Sequence, residues 1–134
     1  MAGYSGTPLA KKLGFKAPVT VLTIGAPPGY RGWLEGLEPG VSFTTRAAKP
    51  VAAAHVFVTR AAALREAAAR IAKSLDRAGF VWISWPKKAS GVATDVTEDT
   101  IREVALPLGF VDVKVCAVTE TWSGLKLVIR KELR

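Results

Sequence analysis

The sequence has a single cysteine, Cys116, and a single histidine, His55. One cysteine excludes an internal disulfide and makes a reducing, cytoplasmic setting the default expectation. One histidine without a second histidine or cysteine leaves no ligand set for a zinc site. No stretch reads G-x-S-x-G, so the nucleophile elbow of the α/β-hydrolases is missing. Apolar runs are strand-length and fall short of the roughly 20 residues a membrane-spanning helix needs. The opening "MAGYSGTPLAKKLGFK" lacks the apolar stretch of a secretory signal.

Acidic residues are also scarce. Against 19 Lys and Arg stand 11 Asp and Glu, a net charge of +8. Such an excess suits an anionic partner, a phosphorylated small molecule or nucleic acid, or serves solubility alone. The charge is scattered and forms no long block. Nucleic acid is disfavoured, because charge is its only support and no recognition-helix or stacking-sheet motif accompanies it. Hydrophobic residues make up 49% of the 134 residues, enough for a real core in one domain spanning 1–134.

The pattern alternates strands and helices. "GTPLAKKLGF" predicts a short N-terminal helical arm, within 1–16, with Thr7 as cap and Gly14 at its end. "VTVLTIG" (19–25) is β-branched and stopped by glycine, as a central strand would be. "VSFTTR" (41–46) and "AHVFVTR" (54–60) are two further strands. Leu64, Ala68, Ile71, Leu75 and Ala78 form one helical stripe over 61–78, with Gly79 placed to stop it. "FVWISW" is the next strand, and Asp95 with Glu98 suits the cap of a second helix that Pro107 shortens. "VDVKVCAV" and "LKLVIRK" make an antiparallel hairpin. The expected fold is a three-layer, Rossmann-like α/β sheet of about six strands, mostly parallel, with an antiparallel C-terminal hairpin strand.

That tail order, a helix, "LDRAGFVWIS", a helix ending in "LGF" and a final hairpin, resembles the C-terminal half of class I methyltransferases. The resemblance implies S-adenosylmethionine, held by a glycine-rich run after the first strand and an acid after the second. Here the first reads "TIGAPPGYRG", where Pro27 and Pro28 remove two backbone donors. The second reads "TTRAAKP", with Arg46 and Lys49 and no acid, so S-adenosylmethionine is a disfavoured cofactor. "YSGTPLAKKLG", "SWPKKASGVATDVTEDTIREVALPLG" and "VDVKVCAVTETWSGLKLVIRK" are similar to a small bacterial family, domain of unknown function 3052. That likeness implies a fold with no reaction attached.

In open parallel sheets ligands bind beyond the carboxyl ends of the strands. Three loops leave that edge here. They would bring Gly25, Gly29, Tyr30, Arg31, Trp85, Lys87, Lys88, Glu120, Trp122 and Ser123 to one rim with aromatic walls and a basic floor. The expectation is a binding module for an anionic or nucleotide-like ligand without a catalytic constellation. The alternatives are a protein-interaction domain using the same rim, a basic nucleic-acid binder and a reduced methyltransferase. "ASGVATD" offers Ser90, Gly91 and Thr94 to a phosphate, but the order is not that of a P-loop. His55 and Cys116 read as core residues inside strands, and Ser84 and Asp95 as belonging to no hydrolase motif.

Overall fold

The computed structural model describes residues 7–46 and 49–134. Among these residues the expected elements fall into one sheet of six strands in the order β2-β1-β3-β4-β6-β5. Strands β1 (Val19–Ile24), β2 (Val41–Thr44), β3 (Val51–Phe57) and β4 (Leu75–Pro86) pair in parallel. β6 (Trp122–Ile129) runs antiparallel between β4 and β5 (Phe110–Ala117), one place in from the edge. A four-residue connection after β5 returns the chain into that slot as β6, so both tail strands lie as a hairpin must.

Helices α2 (Ala61–Ser74) and α3 (Glu98–Ala105) cover one face. Leu64, Ile71, Val81, Ile83, Ile101 and Leu125 pack between them and the sheet. The other face is covered more thinly, by α1 (Leu9–Leu13), Phe15 and a 3-10 turn at Tyr30–Trp33. The indole Nε1 of the fully buried Trp82 donates to the Leu13 carbonyl at 2.9 Å, which fastens α1 to the sheet. Gly14 closes α1 as expected, but the N-cap position falls on Pro8 and Thr7 makes no cap bond. Residues 1–6 of the expected arm lie outside the described residues.

Two expectations are corrected. The helix stripe runs only to Ser74, whose hydroxyl donates to the Arg70 carbonyl at 2.8 Å. Leu75 turns extended and pairs with Val51, while Ala78 is exposed. Gly79 does not end the helix. A Cβ there would lie 2.8 Å from the Ala52 carbonyl oxygen, so β4 can approach β3 only over a glycine.

The cap of α3 is Thr97, in a reciprocal box with Thr100, rather than Asp95. Asp95 instead reaches α2, where its Oδ1 accepts from the Ala61 amide at 2.7 Å. Arg60, the N-cap residue of α2, supplies no side-chain cap, so a carboxylate 34 residues away does that work. Asp95→Ala is therefore expected to cost about 0.5–2 kcal/mol in urea denaturation, the range of a lost cap. An unchanged midpoint would show the bond to be dispensable.

Candidate functional site

The carboxyl ends of β1 to β4 share one edge of the sheet. At the β1–β2 end lies a cavity of about 630 Å³, within the range of small-ligand pockets. Its walls come from the loop after β1, with Pro27, Gly29, Tyr30 and Arg31, and from the end of β2, with Phe43 and Thr44 to Arg46. Two guanidinium groups, Arg31 and Arg46, face no carboxylate in that lining. The Arg31 guanidinium stands 4.6 Å above the Phe43 ring centre, a contact that restrains an otherwise mobile side chain. Thr44 Oγ1 accepts from the Arg46 amide at 3.1 Å, which turns the chain at the end of β2 and fixes where Arg46 departs.

Tyr30 forms the floor. Its ring is 4% exposed, and its hydroxyl bonds His55 Nδ1 at 2.8 Å. On the other side of the imidazole, Nε2 bonds Ser84 Oγ at 2.7 Å. Phe57 stacks on the ring at 4.3 Å and Phe15 stands edge-on to it at 6.5 Å. Burial pushes the His55 pKa down to about 3 and raises that of the Tyr30 phenol, with Arg31 opposing the latter shift. All three groups are neutral at physiological pH. The neutral imidazole donates through one nitrogen and accepts through the other, and each hydroxyl can take the complementary part. Ser84 and His55 are completely buried, so this chain of hydrogen bonds positions the cavity floor and offers no exposed nucleophile.

The sheet distributes the expected rim residues over several places. Gly29, Tyr30 and Arg31 line the cavity. Gly25 (φ +70°) serves packing, since a Cβ there would meet the Phe57 carbonyl oxygen at 2.6 Å. Trp85 is not a rim wall. Its side chain is 8% exposed and packs in the core beneath α2 and α3. Register explains why: Pro86 pairs with Trp122 and Trp85 with Ser123, so the two tryptophans point to opposite faces. Trp122 sits on the α1 face, edge-on to Phe57 at 5.0 Å, and with Ser123 it belongs to β6 instead of a loop.

Glu120 is exposed in the β5–β6 turn. Lys87 is half-buried and its amide donates to the Thr121 carbonyl at 2.7 Å, whereas Lys88 is exposed on the next turn. The "ASGVATD" segment spends its groups internally: Ser90 Oγ donates to the Lys87 carbonyl and Thr94 Oγ1 to the Thr59 carbonyl. Tyr30 was among the expected site residues, but Arg46 and the partners of Tyr30 in its hydrogen-bond chain, His55 and Ser84, were not. Arg46 had a signal in the sequence, as the cation standing where the second strand's acid was sought.

No protein-family model matches the chain, and no curated protein matches it by sequence. Solved structures do match. A SAM dependent methyltransferase from Aquifex aeolicus superposes over 90% of this chain and 87% of its own, with TM-score 0.63 and 13% identity. The fold is methyltransferase-like. The ribosomal protein L11 methylase of Lactobacillus delbrueckii subsp. bulgaricus covers 91% of this chain and 75% of its own, at TM-score 0.58 and 12% identity. NcsB1, an O-methyltransferase from neocarzinostatin biosynthesis in complex with S-adenosylmethionine, reaches TM-score 0.66 over 96% of this chain at 12% identity. The chain spans 53% of NcsB1 and 39% of LepI, another match, solved with SAM. At such identities the likeness is one of fold. The strand order and the inserted antiparallel β6 bear out the sheet expected from the sequence.

Proposed function

We propose that this chain is a Rossmann-like binding domain whose cavity at the carboxyl ends of β1 and β2 takes an anionic, nucleotide-sized small molecule. The observation that carries this reading is the lining: two arginines, several threonines and no carboxylate, in a cavity of about 630 Å³. S-adenosylmethionine does not fit it. Its sulfonium would bring a positive charge to a lining that already holds Arg31 and Arg46, where a phosphate would bring a negative one. Pro27 and Pro28 lack amide protons, and the Tyr30 and Gly32 amides already donate to Pro27 and Gly29 carbonyls. Little of that loop remains to cradle a dinucleotide-like ligand. The reading assigns binding and no reaction. The likeness to domain of unknown function 3052 and a cytoplasmic place, suggested by the lone thiol, belong to the same proposal.

The test is a thermal-shift panel of nucleotides and sugar phosphates beside S-adenosylmethionine. A ligand at 100 times its Kd stabilises the native state by about 2.7 kcal/mol, a rise on the order of 10 °C for a chain of this size. Arg31→Ala and Arg46→Ala should each weaken an anionic ligand roughly ten- to hundred-fold, the loss of a charge-assisted hydrogen bond. A shift by S-adenosylmethionine alone, untouched by either substitution, would overturn the reading.

A further inference from the structure

A second cavity, also of about 630 Å³, opens at the end of the sheet opposite the first. Strand ends supply its wall: Leu75 opens β4, Phe110 opens β5 and Ile129 closes β6. Leu75 and Phe110 are buried and give it an apolar floor. Leu108 and Leu133 form its lip, where they stay 41% and 40% exposed. Single exposed leucines are ordinary on a protein surface, but these two meet at one mouth. A Cβ on Gly109 would lie 2.9 Å from Leu133 Cδ1, so Leu133 packs on the glycine that follows Leu108. The Arg130 amide donates to the Gly109 carbonyl at 2.9 Å, and the Arg77 guanidinium donates to the Leu133 carbonyl. The lip is thus pinned both to β4 and to the start of β5.

The polar part of the lining is small, and its charges are uneven. Lys73 of α2 and Arg77 of β4 stand against one carboxylate, Asp76, whose Oδ2 accepts from the Ala78 amide at 3.1 Å. Two cations against one acid leave the lining one positive charge in excess. Among the described residues neither Lys73 nor Arg77 enters an ion pair. The last turn of α2 contributes Ala72 and Lys73, so the helix brings carbonyl oxygens here and no free amides. That end of a helix disfavours a multiply charged phosphate, which suits the opposite end.

We propose that this cavity binds a small amphipathic monoanion, a carboxylic acid with an aryl or medium-chain alkyl body. The apolar body lies on Leu75, Phe110 and Ile129 and displaces water from them. The carboxylate takes charge-assisted hydrogen bonds from Lys73 and Arg77 at the rim. The site is independent of the arginine cavity, since the two share no lining residue.

The experiment is amide chemical-shift mapping with octanoate, octanol and octylammonium, three probes with one tail and different heads. Octanoate is expected to move the resonances of Lys73 to Arg77, Leu108 to Phe110 and Leu133, and to leave Gly29 to Arg31 in place. It should bind about tenfold or more tighter than octanol, the worth of a charge-assisted hydrogen bond. Lys73→Gln should remove most of that difference without weakening octanol. Lys73 is exposed, so the fold tolerates the change, and the retained octanol response verifies it. Leu108→Asp, also at an exposed position, should weaken both octanoate and octanol. The proposal is overturned if octanoate moves none of these resonances, if octanol or octylammonium binds as well, or if either substitution leaves octanoate affinity unchanged. Protein that sediments with phosphatidylglycerol vesicles but ignores octanoate would assign the leucine lip to a membrane surface, and that also overturns it.

Discussion

His55→Leu is expected to cost about 2–6 kcal/mol, because it strands two buried hydroxyls at roughly 1–3 kcal/mol each. The Tyr30 and Ser84 oxygens have the imidazole as their hydrogen-bond partner, at 2.8 and 2.7 Å. The same burial makes stability depend on acid. The folded imidazole titrates near 3 and the unfolded one near 6.5. Between those values the unfolded chain holds a proton that the folded chain does not, so stability falls as pH falls. The contribution is fully present above pH 6.5 and is lost progressively down to about pH 3, for a total of about 5 kcal/mol. Urea midpoints of the parent and of His55→Gln at pH 7, 5 and 4 measure it. The gap between the two should narrow in acid, since glutamine can bridge the hydroxyls but does not titrate. A constant gap would mean that the ring is already charged or solvated.

Trp82→Ala is expected to cost about 3–5 kcal/mol, the usual penalty for emptying a buried tryptophan site. Trp82 has no exposed surface and lies where α1 meets the sheet. Trp82→Phe separates two causes. It keeps most of the apolar contact but leaves the Leu13 carbonyl without its donor, about 1–3 kcal/mol. Hydrogen exchange should then quicken over α1 well before the rest of the chain. Uniform exchange throughout would show that α1 is held by its apolar side chains, Leu9 and Leu13, without help from the indole.

The fold was legible because its signals are local and redundant. Strand lengths, glycine stops, the Leu64–Ile71 stripe and the tail hairpin all point to one sheet, and the short β5–β6 connection forces antiparallel pairing. Boundaries were less legible. The stripe through Leu75 and Ala78 continues in sequence, but pairing of Leu75 with Val51 takes that residue for β4.

The placement of the candidate residues was half legible. Loops at the carboxyl edge follow from topology, which is why Gly29, Tyr30 and Arg31 could be set side by side from the sequence. Which face a tryptophan takes depends on register. A shift of one residue exchanges Trp85 with its neighbour, and no local pattern in "SWPKK" sets that parity. His55 showed the same limit, because its partners come from 25 residues before and 29 after.

The central claim is that a methyltransferase-like fold here presents a basic cavity, lined by Arg31 and Arg46, to an anion. Amide chemical-shift mapping during titration with ADP and with S-adenosylmethionine tests it most directly. ADP is expected to move the resonances of Gly29 to Arg31 and Thr44 to Arg46, with Arg46→Ala removing the effect and S-adenosylmethionine moving none of them. Shifts at those residues with S-adenosylmethionine and none with ADP would contradict the account.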